Sequence, residues 1–253
     1  MKDAIATGEA ICTCEEMHTP TANEEKSEGK QMEKENVVGI VGVITETPKL
    51  ILEAPDWTKK VYETKIEAPR RSGTMDTLIL QFSGKAAGTK KQLSKLKKGT
   101  EILVAGAVRT HNVRDRVPTE PSVKIYIEAE VVEVNDPPAD QQNEVLLKGN
   151  ISREPVPRMT SGGTHITNII VAVSNGNKAA DFVPCICWQN VADAAAKLKK
   201  GSYVEVTGRM QSREFKKVVN DMPCLMTAYE VSVIQLGVDQ ADMEAASGGE
   251  GKE

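Results

Sequence analysis

The chain has 253 residues, of which 40% are hydrophobic and 27% charged, and its formal net charge is −4. This length allows one large domain or two small ones, and the apolar fraction is sufficient for a core, which excludes a wholly disordered chain. The longest uninterrupted apolar run, residues 37–44, is far shorter than the roughly 20 residues that a membrane-spanning helix needs. The first residues also lack the apolar segment of a secretory signal, so we expect a cytoplasmic protein with no membrane partner.

Charge is distributed unevenly along the chain. Residues 1–35 carry nine acidic and four basic side chains, and residues 239–253 carry five acidic and one basic. Because these ends contribute −5 and −4 to a total of −4, the residues between them carry +5. We predict two disordered acidic tails around a mildly basic folded region, and a basic region is compatible with a polyanionic partner.

The cysteines predict neither a disulfide framework nor a metal centre. Five is an odd number, and the first pair, Cys12 and Cys14, has only His18 nearby as a further zinc ligand. Cys185 and Cys187 lie in an apolar run and are predicted to be small buried hydrophobes. Since no phosphate-binding loop, dinucleotide fingerprint or nucleophile triad is present either, we predict no cofactor, no metal and no enzymatic activity.

An internal repeat organises the chain. Four segments recur in the same order about 100 residues apart: NVVGIVGVITETP and NEVLLKGNISREP, SKLKKGT and AKLKKGS, EILVAG and YVEVTG, AEVVEV and AYEVSV. Such a series indicates a duplicated domain. The predicted domains are residues 36–135 and 143–237, joined by the polar, proline-containing linker 136–142 and flanked by tails 1–35 and 238–253.

Apolar alternation predicts five strands in each copy. In the first copy they lie near residues 36–46, 58–67, 76–83, 101–111 and 122–134, with a helix at 89–97. In the second copy they lie near 144–152, 164–174, 180–188, 202–213 and 223–235, with a helix at 190–199. Five strands with one short helix between the third and fourth predict an all-β chain of two tandem OB-fold barrels.

Several motifs of the second copy resemble those of bacterial and phage single-stranded-DNA-binding proteins. They are GNISREP at 149–155, SGG at 161–163, IIVAVS at 169–174, DFVPCICW at 181–188, LKKGS at 198–202 and VTGRMQSR at 206–213. The resemblance covers residues 143–236, whereas the first copy keeps only part of it. It implies sequence-independent binding of single-stranded DNA in replication, recombination or repair, with bases stacked on aromatic rings and phosphates held by cations.

The resemblance places three stacking residues in the second copy. Phe182 and Trp188 are six residues apart on one strand and share a face if no bulge intervenes. Phe215 lies in a predicted hairpin and is flanked by cations. The family often has a further aromatic residue just after the second strand, where this chain has Asn175, Gly176 and Asn177. The predicted phosphate ligands of this copy are Arg153, Arg209, Arg213, Lys216 and Lys217.

The first copy is expected to bind DNA more weakly or to act as a dimerisation module. We align Phe82 with Trp188 and Asp76 with Phe182, so that a carboxylate would face the phosphate backbone. Trp57 and Tyr62 are further stacking candidates. Arg109, Arg114 and Arg116 would provide cations from a second hairpin.

Partners follow from the same resemblance. Family members with one barrel per chain act as tetramers, so this chain is expected to form a homodimer with four barrels. The family's acidic tail ends in a Pro-Phe tip that docks other proteins, and this sequence ends in GGEGKE instead. Two alternatives remain open: a primosome-type accessory protein acting mainly through protein contacts, and an RNA-binding OB protein.

Overall fold

The computed structural model describes residues 36–114, 121–134, 142–176, 179–219 and 221–238. Apart from Val238 and Gln142, the predicted tails and linker lie outside these residues, as do Arg116, Asn177 and the candidate zinc ligands. Over the described ranges, no helix is long and apolar enough to cross a membrane.

Strands dominate both halves of the described chain. The N-terminal half, residues 36–134, contains β1 (Asn36–Ile44), β2 (Lys49–Leu52), a 3₁₀ turn (Trp57–Lys59), β3 (Val61–Pro69), β4 (Met75–Ser83), α1 (Lys90–Leu93), β5 (Glu101–Asn112) and β6 (Val123–Glu133). The C-terminal half, residues 142–238, contains β7 (Asn143–Ile151), β8 (Val156–Met159), β9 (His165–Ser174), β10 (Ala180–Trp188), α2 (Gln189–Ala196), β11 (Tyr203–Val219) and β12 (Met222–Val238).

In each half, five strands pair in a closed circuit. The first runs β1–β5–β6–β4–β3 and returns to β1, and the second runs β7–β11–β12–β10–β9 and returns to β7. Among the pairings of the described strands, only β4–β6 and β10–β12 are parallel. Alternating side chains point inward and form the core, as in β4, where Leu78, Leu80 and Phe82 are buried. The mainly β character that apolar alternation predicted is therefore confirmed.

Glycines of the repeat stand where strands coil too tightly for a side chain. A Cβ on Gly149 would lie 2.2 Å from the Ala172 carbonyl oxygen, where β7 meets β9 to complete the second circuit. A Cβ on Gly208 would lie 2.4 Å from the Ser232 carbonyl oxygen, at the register shift between β11 and β12. Gly42 and Gly106 stand at the corresponding places in the first circuit, which explains why the repeat preserves these four glycines.

The structure corrects two alignments of the repeat. Leu80 pairs with Ile127 in the first circuit, and Cys185 pairs with Val231 in the second. Ala129 is therefore equivalent to Val233, and the apparent match of AEVVEV with AYEVSV is displaced by five residues. For the same reason Phe82 is equivalent to Cys187, one residue before the predicted Trp188. Both errors arise because apolar alternation repeats along every strand and does not define its own register.

The two halves are joined by an antiparallel pairing of their first strands. Val38 lies opposite Val145, Asn36 opposite Leu147 and Ile40 opposite Asn143. Asn36 and Asn143 are equivalent, and each exchanges two hydrogen bonds with the backbone of its own half, Asn36 with Val108 and Asn143 with Met210. The joint thus has approximate twofold symmetry about the Val38–Val145 pair.

Some elements differ from the sequence prediction. The short strands β2 and β8 were not predicted, because all four residues of each are exposed and give no apolar alternation with a buried face. Strands β11 and β12 each have 17 residues: β11 continues past its predicted end at 213 to Val219, and β12 covers Met222–Val238 where 223–235 was predicted. Helix α1 spans only four residues of the predicted 89–97, and α2 ends at Ala196.

Candidate functional site

Strand β10 presents two aromatic rings on one face. Phe182 is 52% exposed and Trp188 is 37% exposed, whereas Val183, Cys185 and Cys187 point into the core and are at most 2% exposed. The strand pairs with β9 from Ala180 to Trp188 without a register shift, so alternation is preserved along it. The predicted shared face of Phe182 and Trp188 is confirmed, and their stacking on bases stays a prediction.

The Trp188 ring is positioned by its surroundings. Its indole N–H donates to the Ser232 hydroxyl oxygen over 3.2 Å. The next residue, Gln189, has a φ of 49°, which turns the chain sharply from β10 into α2. An exposed ring with a tethered edge loses little further freedom when a flat ligand covers its face.

The two cysteines behind this face are buried, as predicted. Burial raises the pKa of the Cys187 thiol to about 12, and burial also raises the pKa of Cys185. Both thiols therefore remain protonated and apolar at neutral pH.

The β11–β12 hairpin carries the third ring together with cations. Phe215 is half-buried, and the Arg213 guanidinium carbon lies 5.6 Å from its ring centroid. Arg213 Nε also lies 3.5 Å from a carboxylate oxygen of Glu230. Lys216 and Lys217 are exposed on the same strand. The hairpin thus places one aromatic ring among three cations, as the sequence suggested.

The remaining predicted cations of this half occupy different places. Arg209 is half-buried on β11 and lies opposite Ser232, the residue that binds the Trp188 indole. Arg153 is exposed in the turn after β7. Only Arg209 is tied to the Trp188 neighbourhood by strand pairing, and phosphate binding by either residue stays a prediction.

In the N-terminal half, the prediction that Phe82 stacks on bases is wrong. Phe82 is 1% exposed because it occupies the position of the inward-facing Cys187. Tyr62 is half-buried and stacks on Phe82 with ring centroids 5.7 Å apart. Trp57 is half-buried in the 3₁₀ turn and packs against Gly84, with the Lys90 amine 5.7 Å from its ring centroid. Tyr62 and Trp57 keep partial exposure.

Asp76 does not face solvent, which corrects a second expectation. It is fully buried and equivalent to Asp181, not to Phe182. Its carboxylate accepts hydrogen bonds from Arg70 Nε at 2.7 Å and Arg70 Nη2 at 2.6 Å. It also accepts one from the Ser212 backbone N–H of the other half at 2.7 Å. A carboxylate enclosed in this way is a structural group and presents no charge to a ligand.

Asp181 makes the symmetry-related contact. Its carboxylate accepts hydrogen bonds from the Thr110 backbone N–H at 2.7 Å and from Arg109 Nη1 at 3.1 Å. Arg109 also donates to Glu128 at 2.7 Å, and its pKa is raised because hydrogen bonds to these carboxylates outweigh its burial. Two carboxylates thus engage the guanidinium of Arg109, and phosphate binding by this residue stays a prediction. Arg114 is exposed and keeps its predicted role as a proposal.

Sequence reasoning missed these two contacts between the halves. A signal was present, because Asp76 and Asp181 stand at equivalent positions in the two copies. The one-residue misalignment concealed it.

Comparisons with known proteins agree with this architecture. Residues 142–236 match the model of the single-strand binding protein family. A single-stranded DNA-binding protein of Oceanobacillus iheyensis is 33% identical over 115 residues, covering 43% of this chain and 68% of the relative. A protein of the same description from Lactiplantibacillus plantarum is 31% identical over 121 residues, covering 43% of this chain and 59% of the relative.

Among solved structures, the wild-type single-stranded DNA binding protein of Thermus aquaticus superposes with a TM-score of 0.64 at 20% identity. The superposition covers 81% of this chain and 93% of that one. At this identity the likeness concerns the fold. The fold and the matched region define an OB-fold protein of the single-strand binding class. On the strength of the family match and its relatives, this chain belongs to the single-strand binding protein family.

Proposed function

We propose that this chain binds single-stranded DNA without sequence preference, mainly through its C-terminal half. The observation that carries the proposal is the exposed pair Phe182 and Trp188 on β10, beside a hairpin that adds Phe215 and cations. Every base has a π-face, so stacking on such rings tolerates any sequence. Duplex DNA keeps those faces within its own stack and would bind more weakly.

Each closed circuit is proposed to be one OB-fold domain, giving two barrels in tandem at residues 36–135 and 143–237. The short helix in each half follows the circuit's third strand, β4 or β10, as the OB fold requires. Phosphate contacts are assigned to Arg153, Arg209, Arg213, Lys216 and Lys217. The N-terminal half has lost Phe82 as a ligand, so among the described residues its proposed contribution comes from Trp57, Tyr62, Arg109 and Arg114.

Two further roles rest on family membership. The chain is proposed to protect and hold open single strands during replication, recombination or repair. It is also proposed to form a homodimer, so that four barrels act together.

Titration of tryptophan fluorescence with oligo-dT tests the proposal directly. Trp57 and Trp188 are the two tryptophans of the sequence. We expect strong quenching by oligo-dT, weak quenching by duplex of equal length, and loss of the signal in Trp188→Phe but not in Trp57→Phe. If oligo-dT changes neither the fluorescence nor the electrophoretic mobility at low salt, the protein does not bind single-stranded DNA.

A further inference from the structure

A groove of about 450 Å³ lies between the two halves, next to the proposed stacking face. Its wall from the N-terminal half contains the apolar side chains of Ile79, Val123 and Ile125. Its wall from the C-terminal half contains the rings of Phe215 and Tyr229. Volume and lining are those of a ligand pocket, which is typically apolar with a few polar groups at its edge.

The groove lies near the approximate twofold axis of the molecule. Ile79 is equivalent to Pro184 and Ile125 to Tyr229, and all four residues line it. Its two walls differ in chemistry because Tyr229 is aromatic where Ile125 is aliphatic. The groove is therefore asymmetric, whereas two identical halves would form a symmetric groove.

Charge at the groove suits an anionic chain. Lys217 and Lys124 line it, and Lys217 is exposed. The nearby carboxylates already have hydrogen-bond partners. Glu63 accepts hydrogen bonds from the Lys124 amine at 2.5 Å and from the Gln81 side-chain amide at 2.6 Å. Glu230 accepts from Gln211 at 2.9 Å and lies 3.5 Å from Arg213. The accessible charge at the edge is that of Lys217.

The groove is continuous with the stacking face of β10. Pro184 lines it and follows Phe182 on the same face of that strand. A single strand crossing Trp188 and Phe182 would meet the groove within two residues of β10. Burial also raises the pKa of Tyr229, so its phenol stays protonated and can donate a hydrogen bond.

We propose that this groove holds one unstacked base of the bound single strand, between Phe215 and Tyr229 on one side and the aliphatic wall of Ile125 on the other. The inference rests on the proposed function and adds a subsite shared by both halves. Such a subsite would guide the strand from the C-terminal half onto the N-terminal half.

Substitution of the ring at position 229 tests the subsite. Tyr229→Leu keeps an apolar side chain but removes the stacking surface, so we expect affinity for oligo-dT to fall about tenfold. Tyr203→Leu is the matched control, because it makes the same substitution at an exposed tyrosine at the start of β11 that does not line the groove, and it should change affinity less than twofold. Quenching at saturating oligo-dT should persist in both variants, because Trp188 is unchanged.

Photocrosslinking with oligonucleotides containing 5-iodouracil gives an independent measurement. Peptide mapping should find a crosslink at Tyr229 or Phe215 in addition to any at Trp188. The subsite is refuted if wild-type protein binds oligo-dT but crosslinks only on β10, and Tyr229→Leu binds as tightly as wild type. A change in sedimentation of Tyr229→Leu without DNA, with affinity per site unchanged, would assign the groove to a second copy instead. Failure of wild-type protein to bind oligo-dT would refute the proposed function itself.

Discussion

At the scale of single residues, two buried aspartates explain how the halves are held together. The Asp76 carboxylate accepts a hydrogen bond from the Ser212 backbone N–H of the other half, and the Ser212 hydroxyl oxygen accepts one from the Thr77 backbone N–H. The Asp181 carboxylate accepts a hydrogen bond from the Thr110 backbone N–H, and the Thr110 hydroxyl oxygen accepts one from the Phe182 backbone N–H. Because this second contact includes the backbone N–H of Phe182, it also positions that residue, whose ring is proposed to stack on a base.

Removal of the Asp76 carboxylate should destabilise the protein. Asp76→Ala leaves the Arg70 guanidinium and the Ser212 N–H without their acceptor, and loss of one partner of a buried ion pair costs about 3 kcal/mol. Urea unfolding followed by far-ultraviolet circular dichroism would measure this free energy. Glu133→Ala, which removes an exposed carboxylate at the end of β6, should stay within about 0.5 kcal/mol of wild type. Equal stability of Asp76→Ala and wild type would show that the contact contributes nothing.

At the scale of elements, the β11–β12 hairpin is the part that reaches between the halves. Its strands stay paired from Val204–Val238 to Val219–Met222, apart from the shift at Gly208. Ser212 contacts the N-terminal half, and beyond it Phe215, Lys216 and Lys217 continue along the same strand. A long paired hairpin holds these side chains in fixed order, and we infer that it tracks the DNA backbone.

The cations of this hairpin should determine part of the salt dependence of binding. Each phosphate contact with a single strand adds about 0.7 to the slope of log affinity against log salt. Lys216→Ala/Lys217→Ala should therefore reduce the slope by up to about 1.4, measured by fluorescence titration at several salt concentrations. Lys97→Ala/Lys98→Ala removes two exposed lysines from the turn before β5 and should leave the slope unchanged. If the two double variants show the same slope, Lys216 and Lys217 do not contact DNA phosphates.

At the scale of the whole molecule, the two halves have the same strand order and are joined with approximate twofold symmetry. The β1–β7 pairing is approximately symmetric, and the same approximate twofold axis relates the Asp76 contact to the Asp181 contact. The residues of the proposed DNA-binding surface do not follow this symmetry, because Thr77 stands at the position of Phe182 and Ile125 at the position of Tyr229. Symmetry is thus retained where the halves contact each other and lost where they would contact DNA.

The proposed homodimer makes a simple prediction. Sedimentation equilibrium of the full chain should give about twice the 27.4 kDa of one chain. The Asp76→Ala variant should keep this mass, because its contact lies within one chain. A mass of a single chain across micromolar concentrations would refute the dimer.

The candidate site was predictable where local pattern was sufficient. Phe182 and Trp188 were placed on one exposed face because a strand without a bulge alternates strictly. Phe215 was predicted from its flanking cations. Phe82 was misjudged because its environment depends on the parallel pairing with β6, far away in sequence. The contact of Arg109 with Asp181 was missed for the same reason.

The sequence by itself determined the mainly β character and the family, because these follow from periodicity and from motifs along the chain; the duplication and the short helices were its predictions. Only the tertiary structure decided the register of the two copies, the burial of Phe82 and Asp76, and the groove with Tyr229. The physical reason is that circuit closure pairs residues about 20 to 70 positions apart, and the joint between the halves pairs residues about 70 to 140 positions apart. Pairings at such separation leave no local pattern in the sequence.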